Sequence, residues 1–177
     1  MASRSGEMFV RVASLRSGEN VLTFETPIHE LNMPPFQECG LRLSLPVRSE
    51  LVLIRNGCQV LLDGTIRCQA TMSCASCGNE FARVLEEQIS VDFRPITPSG
   101  SLPRFQELLE GELDRVFYDG EGIDLLPHVR DTLLLAVPFA PLCHPECKGI
   151  CAFCGANMNL ERCACVTPRV SGIAMKV

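Results

Sequence analysis

The stretch LRLSLPVRSELVLIRNGCQVLLDGTIRCQATM, residues 41–72, decides the fold class. Leu41, Leu43, Leu45 and Val47 alternate with Arg42, Ser44 and Arg48, and in an extended chain that places the apolar side chains on one face of a strand. Pro46 has no N–H to give a neighbouring strand, so this strand is an edge or is interrupted. Leu51 to Arg55 runs into Asn56-Gly57, two residues that tolerate positive φ and so predict a tight hairpin turn. Cys58 to Leu62 then reaches Asp63-Gly64, a second turn or a bulge. Beyond it Ile66, Cys68, Ala70 and Met72 alternate with Thr65, Arg67, Gln69 and Thr71, the pattern of a half-buried strand.

Working outward, Phe81, Leu85, Ile89, Val91 and Phe93 share one parity and predict a further long strand, so residues 41–93 form an antiparallel meander. Pro95, Pro98, Gly100 and Pro103 mark a connector, and Gly111, Gly120 and Gly122 weaken any helix in the acidic stretch after it. Asp124 can cap a helix in which Leu126, Val129, Leu133 and Val137 recur at helical spacing; Pro127 falls in its first turn and Pro138 stops it. The expected fold is α+β: an antiparallel β meander or partial barrel with one clear helix and a C-terminal cysteine-rich zinc module. The expected division is a mainly β region over residues 1–98, an acidic connector over 99–123, and helix plus zinc module over 124–177.

Composition narrows the class. At 177 residues and 46% hydrophobic, the chain can bury a core without covalent staples. Eleven cysteines is a high and odd count, and a chain of this size lies outside the small secreted class that depends on disulfides. Residues 1–12 carry no apolar stretch suited to a signal peptide. The most apolar run, Leu133 to Leu142, is about ten residues and holds two prolines, whereas a membrane helix needs roughly twenty. The expectation is a cytoplasmic protein whose closely spaced cysteines bind metal. Sixteen Lys and Arg against 21 Asp and Glu give a net charge of −5, which disfavours a general nucleic-acid binder. The charge is uneven: residues 99–131 hold three arginines against eight acids, while residues 132–177 hold four cations against Glu146 and Glu161.

Four close pairs carry the chemistry: Cys74 with Cys77, Cys143 with Cys147, Cys151 with Cys154, and Cys163 with Cys165. A tetrahedral zinc site takes four ligands, and two ligands from one short loop lower the entropy cost of assembling it. In Cys151-Ala-Phe-Cys154-Gly155 and Cys74-Ala-Ser-Cys77-Gly78 the spacer folds both sulfurs toward one point, and the following glycine can take the positive φ that aims amides at sulfur. Both read as zinc knuckles, giving one or two structural zinc ions. Cys163-Ala-Cys165 is less usual, so one of that pair can be a spectator. A redox pair is the rival for Cys74 and Cys77, but Gly78-Asn79 leads into a strand instead of the helix N-terminus that thioredoxin-type reactivity needs. Cys39, Cys58 and Cys68 have no close partner and read as core residues. His144 can replace Cys143 as a ligand, although a solvated histidine is the simpler account. No catalytic triad, phosphate loop or zinc-protease motif is present, and a site with four thiolates leaves no position for a reactive water. Each filled site carries about −2, so two would take the chain from −5 to about −9.

At the C-terminal block the sequence resembles the YceD family, the large ribosomal RNA subunit accumulation proteins. The pieces are Ile123-Asp124-Leu125, Leu135-Ala136-Val137-Pro138, Pro141-Leu142-Cys143, Cys147-Lys148-Gly149-Ile150-Cys151, Cys154-Gly155-Ala156-Asn157-Met158-Asn159 and Cys163-Ala164-Cys165. Upstream, Cys74-Ala-Ser-Cys77 with Phe81 matches as well, so the resemblance spans about residues 40–166. Ile150 and Met158 stand where leucine is usual, both volume-conserving changes. The resemblance implies a role in accumulating 23S ribosomal RNA, hence in large-subunit biogenesis, and supplies no mechanism.

Three functions compete. The first is a non-enzymatic assembly factor that binds a ribosomal protein, the 23S rRNA precursor, or both, with no membrane and no small-molecule substrate; acidity favours a basic protein partner. The second is a thiol/zinc redox or metal-responsive switch. The third, an RNA-cleaving enzyme, lacks the clustered carboxylates and histidine it would need.

Overall fold

The computed structural model describes residues 8–96 and 115–165. In chain order the elements are β1 (Phe9–Arg11), β2 (Gly18–Thr26), α1 (Phe36–Cys39), β3 (Arg42–Leu43), β4 (Val47–Asn56), β5 (Gln59–Ser73), β6 (Glu80–Pro95), β7 (Arg115–Tyr118), β8 (Gly122–Asp124) and α2 (Leu126–Leu135). They belong to two compact units. One combines the described residues up to Met72 with those of Ala82–Phe139; the other combines Ser73–Phe81 with the described residues from Ala140 on. The helix α2 therefore falls in the sheet's unit, and the Cys74–Cys77 knuckle falls with the C-terminal cysteines, a different grouping from the division at residues 99 and 124.

In the first unit the sheet order is β2-β4-β5-β6-β7, with β3 pairing the far end of β5. The alternation explains it. Val47, Ser49, Leu51 and Leu53 of β4 and Val60, Leu62, Ile66, Ala70 and Met72 of β5 are all completely buried, while their neighbours point away. Full burial of one such aliphatic side chain stabilises by roughly 1.5–3 kcal/mol, so slipping the register by one residue would reverse every gain. Pro46 falls in the break between β3 and β4, as its missing N–H requires.

Two local expectations shift. Asn56 pairs with Gln59, so the hairpin loop is Gly57-Cys58, and only Gly57, at φ 63°, takes the left-handed conformation. At Asp63-Gly64 there is no turn: β5 runs straight through, with Leu51 opposite Gly64. Glycine is required there for space, because a Cβ would lie 2.4 Å from the Glu50 carbonyl oxygen and 2.7 Å from Leu51 Cδ2.

Leu125, Val129 and Leu133 of the α2 region are fully buried, and His128 meets Phe93 of β6 edge-on with ring centroids 5.1 Å apart. The Asp124 carboxylate accepts the Leu126 N–H at 3.0 Å, and Pro127 sits in the first turn. The helix ends at Leu135, so Val137 lies beyond it; the residue before a proline is pushed out of helical geometry. Part of the expected acidic connector is strand. β7 runs parallel to β6, with Asp92 opposite Arg115, and β8 pairs with β1 in a separate two-stranded sheet. Residues 97–114 lie outside the described set.

Candidate metal centres

The second unit is built from two turns of the same design. Cys74 N–H donates to the Asn79 carbonyl at 2.9 Å, and Gly78 N–H donates to the Cys74 carbonyl at 2.9 Å. In the second turn Cys151 N–H donates to the Ala156 carbonyl at 2.8 Å and Gly155 N–H to the Cys151 carbonyl at 2.9 Å. Gly78 and Gly155 both have φ 72°, a conformation that costs a residue with a Cβ. The Phe153 N–H points at Cys151 Sγ (3.4 Å), a donor to sulfur in the turn that Gly155 closes, and the Cys165 N–H points at Cys163 Sγ (3.2 Å), a pair with no following glycine.

The first turn is joined to a distant part of the sequence. Ala75 N–H donates to the Pro141 carbonyl at 2.7 Å, and Ile150 N–H to the Ser76 carbonyl at 3.2 Å. These bonds bring Cys143 and Cys147 to Cys74 and Cys77, and the four sulfurs lie within 4.8 Å of one another. Cys151, Cys154, Cys163 and Cys165 form a second group to the same limit. All eight cysteines singled out from the sequence fall into two sets of four, and the Cys143–Cys147 segment lies with the distant Cys74–Cys77 turn and not with the adjacent one.

A tetrahedron with metal–sulfur arms near 2.3 Å has sulfur–sulfur edges of about 3.8 Å. In the first group Cys74 to Cys147 is 3.7 Å and Cys77 to Cys143 is 3.8 Å. That spacing fits a metal ion and is far from the roughly 2.05 Å of a disulfide. The second group is tighter, with Cys163 at 3.4 Å from Cys154 and 3.3 Å from Cys151. It is also more open to solvent, since Cys154 and Cys165 are exposed whereas Cys74 and Cys77 are buried.

Electrostatics bears on how these groups could hold a cation. Burial opposes ionisation of Cys74, but amides of Cys143, Cys77 and Ser76 outweigh it and bring the thiol down to about 6. Amides of Cys154 and Phe153 likewise bring Cys151 to about 6. Burial and the sulfurs of Cys147, Cys74 and Cys77 push Cys143 up to about 12. Cys163, despite the Cys165 amide that favours its thiolate, is pushed up to about 12 by the sulfurs of Cys151, Cys165 and Cys154. Backbone amides thus stabilise the thiolates of Cys74 and Cys151, whereas Cys143 and Cys163 need a positive charge beside them to ionise.

Other residues sort themselves around this. His144 is exposed, with Nδ1 3.1 Å from Cys143 Sγ. Cys68 is buried as expected, but Cys58 is exposed, because it occupies the hairpin loop instead of a strand. The Cys39 side chain lies outside the described set. Sequence reasoning missed Asn159: its Nδ2 donates to Cys147 Sγ at 3.3 Å, its Oδ1 accepts the Lys148 N–H at 2.8 Å, and Asn157 Oδ1 accepts its N–H at 3.0 Å. Asn159 lies between Cys154 and Cys163, and no spacing in the sequence marks it as a donor to Cys147.

Residues 62–174 match the family model described as large ribosomal RNA subunit accumulation protein YceD. The chain belongs to the YceD family. Among curated relatives of this YceD-family chain, the large ribosomal RNA subunit accumulation protein YCED homolog 1, chloroplastic, of Arabidopsis thaliana is 28% identical over 142 residues, covering 68% of the chain and 44% of that protein. Its Zea mays counterpart is 26% identical over 157 residues, covering 76% and 54%. An uncharacterized protein of Mycobacterium tuberculosis is 31% identical over 122 residues, covering 69% and 54%. The chain spans about half the length of these relatives. No solved structure matches it. Among the described residues no helix is long and apolar enough to cross a membrane.

Proposed function

We propose that this YceD-family protein is a non-enzymatic zinc-binding factor in large ribosomal subunit biogenesis, needed for accumulation of 23S rRNA and acting in the cytoplasm by binding rRNA or a ribosomal protein. Family membership of residues 62–174 carries this proposal, and the names of the chloroplastic relatives point the same way. Zinc is favoured over other ions by an all-sulfur donor set at tetrahedral spacing. With four thiolates on each ion there is no open position for a substrate or water, which supports a structural metal and a binding role. The net charge of −5, falling to about −9 with both sites filled, favours a basic protein over bare RNA as the direct partner.

The test is a sucrose-gradient subunit profile with rRNA quantification in deletion and complemented strains. Less mature 23S rRNA and fewer large subunits, with the small subunit affected only secondarily, is the expected result. Normal subunit ratios in the deletion strain, at optimal and cold temperatures alike, would contradict the proposal. Affinity capture with and without RNase then separates a protein partner from an RNA-bridged one.

A further inference from the structure

The two cysteine groups differ in what can reach them. In the first, Cys74 and Cys77 are 3% and 7% exposed, and Asn159 donates to the Cys147 sulfur. In the second, Cys154 and Cys165 are exposed, and Cys163 stands between Cys151 and Cys154 at 3.3 and 3.4 Å. Thiol oxidation follows access to solvent and the presence of a nearby second thiol to resolve the product. Cys154 and Cys165 are both exposed with the other sulfurs within 4.8 Å, and Cys154 has the Cys163 sulfur at only 3.4 Å. Cys151 has the close neighbour but is buried, and the Cys163 sulfur lies 3.3 Å from Cys151 and 3.4 Å from Cys154.

We propose that the second group is a peroxide-sensitive modification site, in which Cys154 is oxidised first and Cys163 closes on it as a disulfide, while the first group keeps its sulfurs reduced. The zinc consequences rest on the metal assignment above; the order of cysteine oxidation does not. The Cys154 sulfur attacks one peroxide oxygen, the O–O bond breaks, hydroxide leaves, and Cys154 becomes a sulfenic acid. The Cys163 sulfur then attacks the Cys154 sulfur, forming the S–S bond and expelling a second hydroxide. Two electrons pass from the two sulfurs to the peroxide, and with two protons the hydroxides become water. Cys151 and Cys165 alone do not retain the ion, so one peroxide and two protons release one zinc and leave two thiolates free to take up protons from solvent. The loop that closes is short, and sulfurs already 3.4 Å apart must approach to about 2.05 Å.

The experiment uses the full zinc-loaded chain, titrated with hydrogen peroxide. Released zinc is followed with a colorimetric chelator, and modified cysteines are mapped by alkylation and peptide mass spectrometry. The expected result is loss of one zinc equivalent with the other retained, and a first disulfide joining Cys154 to Cys163. Cys163→Ser should leave a Cys154 sulfenic acid that dimedone traps; early time points on the unmodified chain with dimedone give the same assignment if that variant folds poorly. A first disulfide among Cys74, Cys77, Cys143 and Cys147, simultaneous loss of both ions, or a Cys151–Cys163 bond with Cys154 untouched would each overturn the proposal. Zinc content before peroxide reports separately: a metal-free chain sinks the zinc assignment, and the mapping on the same sample still decides which cysteines oxidise first.

Discussion

Asn159 places a neutral amide donor against Cys147 Sγ while its oxygen fixes the Lys148 N–H, so it orients a ligand it does not replace. Removing such a partner typically lowers metal affinity about 10–100-fold, and Asn159→Ala should do so for the first group alone, measured by competition with a zinc chelator. Among the cysteines, Cys74→Ser or Cys154→Ser should each lower the zinc count by one in elemental analysis, and the pair together by two, whereas Cys58→Ser and Cys68→Ser should leave it unchanged. Spacing separated the eight clustered cysteines from Cys58 and Cys68; it carried no information on Asn159, because a side-chain donor to sulfur leaves no period in a sequence. Cys68 serves a different purpose. Burial pushes its thiol from 9.0 up to about 11, so the folded chain holds a proton that the unfolded chain loses first. Its contribution to stability is complete below pH 9 and disappears as pH rises toward 11; Cys68→Ala should flatten that decline in denaturation midpoints taken across the window.

At the scale of elements, the β meander was legible because one face is buried and period-2 alternation records that burial directly, as at Val47 to Leu53 and Ile66 to Met72. Gly64 was misread for an instructive reason. Asp-Gly marks turns through φ, but here the glycine is needed because the β4 backbone comes so close. Gly64→Ala should therefore destabilise by about 1–3 kcal/mol, the usual cost of overpacking, seen as a lower urea midpoint with an unchanged slope. The β6–β7 pairing was not legible: a parallel neighbour arrives through a long crossover, and four residues from Arg115 to Tyr118 are too few to show a period. The β1–β8 pair escaped for the same reason, since each of its strands is three residues long.

For the whole molecule, the unit boundaries change what truncation means. The division at residue 124, read from sequence alone, implies that cutting after Pro141 removes one metal-bound module and spares the Cys74–Cys77 knuckle. Because Cys143 and Cys147 complete the Cys74–Cys77 group, the same cut should abolish both metals, while the sheet, whose unit ends at Phe139, keeps a β-rich circular dichroism spectrum. A random-coil spectrum would show that the sheet needs the second unit to fold. The two groups also differ in when they can exist. Cys77 and Cys143 are 66 residues apart, which at ~5–20 residues per second is a wait of roughly 3–13 s during synthesis, whereas the second group lies within one stretch of fifteen residues, Cys151 to Cys165. For those seconds the first knuckle is a pair of thiols with half a coordination shell, open to any scavenging metal or oxidant in the cell. The centre that is best protected in the finished protein is the one left longest unguarded while the protein is being made.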